Sequence, residues 1–117
     1  MTKIIVVDFD DTLALYEGSR AAENIPTAKP NMPLINKLNY LSRSGFEIHI
    51  YTARGHISAN SREDAKHKYE SIIKQWLRKW KVSYDLLSFE KPYAVYYIDD
   101  KSVRPDELHL LDKLTSL

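Results

Sequence analysis

Residues 3–8 read K-I-I-V-V-D, a continuous apolar run rich in β-branched side chains and closed by Asp8, a pattern that suits a strand buried on both faces of a parallel sheet. From residue 13 to 32 the periodicity lapses. Gly18, Pro26, Pro30 and Asn31 punctuate an irregular excursion there, expected as a flap or loop over the strand end. Pro33 then suits a first helical turn, Leu34, Ile35, Leu38 and Leu41 recur at helical spacing, and Gly45 is placed to close that helix in a left-handed cap. A second strand is expected over 46–51, F-E-I-H-I-Y, running into a polar turn at Thr52, Ala53, Arg54 and Gly55. Tyr69, Ile72, Ile73, Trp76, Leu77 and Trp80 define the buried stripe of a long helix over 62–81, whose other face carries Lys66, Lys68, Lys74, Arg78 and Lys79. Residues 84–89 predict a third strand, 93–98 a fourth, and 106–114 a closing amphipathic helix approached through Pro105.

The order β, α, β, α, β, β, α predicts a three-layer, Rossmann-like α/β fold: a mostly parallel sheet with helices on both faces and ligands at the carboxyl ends of the strands. At 117 residues the chain is expected to form a single domain over 1–117, with 13–32 as its flap insertion. Lys plus Arg is 17 and Asp plus Glu is 16, so no global field draws the chain to nucleic acid or anionic lipid. The absence of cysteine excludes disulfides, thiolate metal sites and a cysteine nucleophile. No stretch approaches the ~20 apolar residues of a spanning helix, and the run before Asp8, Asp10 and Asp11 is too short for a signal peptide. A cytoplasmic location without membrane association is therefore expected.

Polar breaks fall at the carboxyl ends of these strands: Asp8 and Asp10 after the first, Thr52 after the second, Asp99 with Asp100 after the fourth, and Lys91 just beyond the third. In a parallel sheet those ends share one edge, so distant segments deliver carboxylates, a hydroxyl and an ammonium to a single cleft. Carboxylates so close need a compensating cation. Oxygen-only ligands with room for water and phosphate oxygens suit Mg²⁺ better than Ca²⁺.

D-F-D-D-T-L at 8–13 resembles the D-x-D-x-T motif of the haloacid dehalogenase superfamily of aspartate-nucleophile phosphatases. Thr52 closing I-H-I-Y resembles the second motif of that superfamily, Lys91 the third, and Asp99 with Asp100 after Y-Y-I the fourth. Within it, Y-T-A-R-G, K-W-K-V-S-Y-D-L-L-S-F-E-K-P and Y-Y-I-D-D-K-S-V-R-P-D-E-L are similar to small phosphatases of capsular polysaccharide biosynthesis, with Glu90 where that group is expected to carry glycine. The resemblance implies an aspartyl-phosphate mechanism. Asp8 would be the nucleophile and Asp10 the general acid and then base; Thr52, Ala53, Arg54 and Lys91 would meet the phosphoryl group. Mg²⁺ would be held by Asp8, the Asp10 backbone carbonyl, Asp99 and Asp100. The 13–32 excursion is too short for the large cap domain of many relatives.

Other polar residues have structural readings. Asp11 and Thr12 suit the turn after the first strand, His49 suits a packed strand position, and His67 and His109 suit helix surfaces. Arg54 is read equally as turn and as substrate contact. The substrate expected first is a small phosphorylated metabolite, such as a sugar phosphate of surface polysaccharide biosynthesis, with a homo-oligomer covering the open site. A polynucleotide 3′-phosphatase is the enzymatic alternative, and a phospho-receiver signalling domain the non-enzymatic one. The receiver needs its phospho-accepting aspartate at the end of a mid-chain strand, where Thr52 stands.

Overall fold

The structure is a computed structural model that describes residues 3–54, 62–90 and 103–114, without the side chains of 62–68 and 113. Three parallel strands build the sheet: β1 (Ile4–Asp8) pairs with β4 (Glu47–Tyr51), which pairs with β5 (Leu86–Ser88). A two-stranded antiparallel ribbon, β2 (Ala14–Leu15) with β3 (Lys29–Pro30), stands apart from it. Helices α1 (Met32–Arg43) and α2 (Arg62–Lys79) form the crossovers of a Rossmann-like α/β fold, and the described residues contain no cap domain.

Register decides which residues are buried. Aligned positions of in-register parallel strands share a face, so Ile5, Val7, Ile48, Ile50 and Leu87 lie together on one side. That side meets Leu34, Ile35, Leu38 and Leu41 of α1 and Tyr69, Ile73, Trp76 and Leu77 of α2 in one apolar cluster. Both crossovers advance in the same direction across the sheet, and right-handed connections then place both helices on the same side. The opposite face carries Ile4, Val6 and Leu86, which are 49%, 57% and 44% exposed. The expectation that the first strand is buried on both faces is thus corrected: β1 alternates, and its apolar run is covered on one side among the described residues.

Local chemistry sets the ends of the elements. Asn31 caps α1 by accepting the Leu34 amide at 3.4 Å, and Gly45 follows the helix with φ +99, a left-handed turn that only glycine adopts without strain. Asn39 of α1 receives the Ser83 amide (2.8 Å) and donates to the Lys81 carbonyl (2.9 Å), fixing the link between α2 and β5.

The excursion after β1 is more ordered than its lack of periodicity implies. Leu13, Ala14, Ile25 and Ala28 are buried, and the Trp76 indole donates to the Ala28 carbonyl at 3.0 Å. Short anchors with irregular spacing leave no periodic signal.

The closing segment is a 3₁₀ helix, Leu108–Leu114, where an amphipathic α-helix is expected from the sequence. Leu108, Leu111 and Leu114 pack against the core while Leu110 stays exposed. A spacing of three aligns with three residues per turn, and so short a segment gains little from α-helical propagation. Lys37 of α1 ion-pairs with Asp112 in this segment. The expected strand over 93–98 lies outside the described residues.

Candidate active site at the carboxyl ends of the strands

Parallel register places Asp8 beside Tyr51, and Tyr51 beside Ser88, so the carboxyl ends of all three strands are level. The ladder continues one residue further: the Phe9 amide donates to the Tyr51 carbonyl (3.1 Å) and the Thr52 amide to the Ser88 carbonyl (3.0 Å). Then the chain turns. The Phe9 carbonyl accepts from the amides of Thr12, Leu13 and Ala14 at 3.4, 3.0 and 3.0 Å, while Asp11 takes a left-handed φ of 57. Aspartate tolerates that conformation better than most residues, which is why it can stand at this position. The turn is tied to α1 because Asn31 donates its side-chain amide to the Thr12 carbonyl at 3.0 Å. Beneath it the fully buried Phe9 ring meets Trp76 edge-on, with centroids 5.3 Å apart.

Asp10, at the crest, gathers donors from three side chains. Its Oδ1 accepts from the Tyr16 hydroxyl and from Arg54 Nη2, both at 2.7 Å. Its Oδ2 accepts from Arg54 Nε at 3.3 Å and from Thr52 Oγ1 at 3.4 Å. The Arg54 and Asp10 side chains are only 9% and 13% exposed, so this fork-to-fork pair is largely desolvated and stronger than a surface ion pair. Arg54 also lies over the Tyr69 ring, 5.6 Å from its centroid. Thr52 is wholly buried and accepts the Arg54 amide at 3.0 Å, which shapes the turn that aims the guanidinium.

Asp8 accepts a bond from Thr12 Oγ1 at 3.4 Å. Burial and the Asp10 carboxylate push the Tyr16 phenol well above its usual range. Burial disfavours the Arg54 charge, but its bonds to Asp10 and the attraction of that carboxylate prevail and raise its basicity. Asp11 pairs with Arg20 at 2.5 Å and accepts the Tyr16 amide at 3.3 Å, a turn-building role that agrees with its sequence reading.

Of the residues singled out in the sequence, Asp10, Thr52 and Arg54 meet directly, Asp8 lies on the adjoining strand end, and Ala53 lies between Thr52 and Arg54. Lys91, Asp99 and Asp100 lie outside the described residues. Among the described residues, no three His, Asp or Glu side chains gather as a metal cluster. His49 bonds Glu47 at 2.9 Å within β4, as a structural residue would. Two contacts were not legible in the sequence: Thr12 to Asp8, and Tyr16 to Asp10. The only hint for Tyr16 is its flap position six residues beyond Asp10; the β2–β3 ribbon is what returns it to the site.

These observations define an α/β protein with a carboxylate, hydroxyl and guanidinium cluster at the carboxyl edge of a parallel sheet. A Vibrio cholerae protein, solved in crystals as an MCSG target, is 31% identical over 98% of both chains with a TM-score of 0.80, and this chain belongs to the same family. Its fold is also similar to a chain of the Pnkp1/Rnl/Hen1 complex, at 21% identity and a TM-score of 0.61, covering 97% of this chain and 35% of that one. A chain of the Pnkp1/Rnl/Hen1 RNA repair complex gives 18% identity and a TM-score of 0.59, with 95% and 32% coverage. No protein-family model matches the sequence, and no curated protein matches it either.

Proposed function

We propose that this protein is a Mg²⁺-dependent phosphomonoesterase that works through an aspartyl-phosphate at Asp8. The observation that carries the reading is the convergence of Asp10, Thr52 and Arg54 beside the strand end that bears Asp8. An Asp8 carboxylate oxygen attacks phosphorus and the bond to the leaving oxygen breaks, with Asp10 donating the proton that oxygen needs. Water then attacks the phosphoryl group on Asp8, Asp10 takes up its proton, and inorganic phosphate departs. Thr52, Arg54 and Lys91 bind the phosphoryl oxygens, where hydrogen-bond donors stabilise the charge that spreads over them in the transition state.

The donors suit a hard cation, since the Asp8 carboxylate and the Asp10 carbonyl at one strand end supply oxygen ligands only. Asp8, the Asp10 carbonyl, Asp99 and Asp100 would hold Mg²⁺, which would offset the repulsion between an anionic nucleophile and a phosphate dianion. A small phosphorylated metabolite is the preferred substrate, a sugar phosphate of surface polysaccharide biosynthesis being the first candidate by sequence resemblance. A polynucleotide 3′-phosphate is the second, supported by the lack of a cap among the described residues and by the fold shared with a chain of an RNA repair complex.

The test is phosphate release from sugar phosphates, nucleotides and 3′-phosphorylated oligonucleotides, with and without Mg²⁺, for wild type and Asp8→Asn. Metal-dependent release lost in the variant is expected. Near-normal release by Asp8→Asn would sink the assignment. Salt separates the substrates, because polynucleotide turnover falls steeply with ionic strength and sugar-phosphate turnover much less.

A further inference from the structure

The two oxygens of Asp10 are not held alike. Oδ1 receives two bonds of 2.7 Å, from Tyr16 and from Arg54 Nη2. Among the described residues, Oδ2 receives only contacts of 3.3 and 3.4 Å. Charge-assisted bonds weaken quickly with length, so Oδ1 is the anchored oxygen and Oδ2 the lightly held one. Arg54 favours Oδ1, at 2.7 Å against 3.3 Å, but it has a donor on each oxygen and is not confined to one. The Tyr16 phenol is so confined, because its short bond goes to Oδ1 alone. We propose that Tyr16 is a positioning residue that pins Oδ1 of Asp10 and so reserves Oδ2 for proton exchange with the leaving group.

This role rests on the phosphomonoesterase reading. A carboxyl oxygen has two lone pairs in its plane, and on Oδ1 two short donors fill both. A proton placed there has to expel the phenol or the guanidinium, whereas on Oδ2 it displaces only long contacts. The phenol is held from behind: the Tyr16 amide bonds Asp11, Asp11 pairs with Arg20, and the adjoining Leu15 is held in the β2–β3 ribbon. Without the phenol one lone pair of Oδ1 is left open, so a proton can settle there as well as on Oδ2 and no longer faces the leaving oxygen at each encounter.

The test is Tyr16→Phe, which keeps the ring and deletes one oxygen. Leaving-group release is followed in single turnover with Mg²⁺, using an alkyl phosphomonoester, whose leaving oxygen needs a proton, and p-nitrophenyl phosphate, whose leaving group departs as a stable anion. Orientation of a general acid is part of an effect worth ~10²–10⁴-fold, so the variant should lose roughly ten-fold or more on the alkyl ester and little on the aryl ester. Substrate binding should hardly change. A merely structural role lowers both substrates together. Equal losses on both, or no loss on either, overturn the proposal while leaving the phosphatase intact. Wild type inactive on both esters and on the sugar phosphates, nucleotides and 3′-phosphorylated oligonucleotides above overturns the phosphatase reading itself, and this role with it.

Discussion

Phe9 and Asp10 are consecutive residues in contrasting surroundings. Phe9 is sealed between sheet and α2 against Trp76, where only shape and apolar area count. Asp10 sits over the strand ends among Tyr16, Thr52 and Arg54, where charge and hydrogen-bond direction count. One peptide bond separates them because the turn fixed by the Phe9 carbonyl and by Asp11 in left-handed conformation swings the chain from one regime to the other. The core therefore aims the site without sharing its chemistry, and damage to either region should be separable from damage to the other.

The strongest way to break that separation is Asp8→Asn. With Asp8 as the proposed nucleophile, turnover should fall by roughly 10⁴-fold or more. Unfolding free energy, measured by denaturant titration, should move by no more than about 1 kcal/mol. A large loss of stability would show that the strand-end carboxylate also supports the core.

Trp76→Ala attacks from the other side. It removes the edge contact to Phe9 and the bond to Ala28, and should cost about 3–5 kcal/mol in the same titration. The folded fraction should retain the proposed phosphatase activity only so far as the Phe9 turn holds, so activity lost ahead of stability would mark the turn as the weak joint.

Asn31→Ala probes the tie between α1 and the site turn, deleting a helix cap and the bond to the Thr12 carbonyl. About 1 kcal/mol of stability should be lost. A disproportionate fall in turnover would sharpen the comparison by showing that the cap positions the turn as well as the helix.

The smallest effect is alkaline. The Tyr16 phenol in the folded protein is raised above its ordinary 10.0, first by burial and then by Asp10. A raised value means that its contribution is full below pH 10.0 and is lost as the pH climbs toward the folded value, because the unfolded chain ionises there first. Thermal midpoints measured at rising pH should thus fall above that point, and less steeply in Tyr16→Phe. Parallel curves for the two proteins would show that Tyr16 is not the residue responsible.

Whatever depends on spacing along one element could be read from the amino-acid order alone. Leu34, Ile35, Leu38 and Leu41 are buried on α1 as their helical spacing predicts, Tyr69, Ile73, Trp76 and Leu77 on α2 likewise, and Gly45 takes its left-handed φ. The polar breaks at Asp8 and Thr52 fall at strand ends for the same reason, since a buried strand stops where a polar residue must reach the edge. Tertiary structure decided the rest: which face of β1 is covered, that three leucines spaced by three wind a 3₁₀ helix, and that Tyr16 and Arg54 close on Asp10 from different loops. Those outcomes depend on distances between segments far apart in the chain, set by register and by a few isolated anchors such as Ala28 on Trp76. Periodicity encodes the direction of a side chain from its own backbone, but not which other segment will be there to meet it.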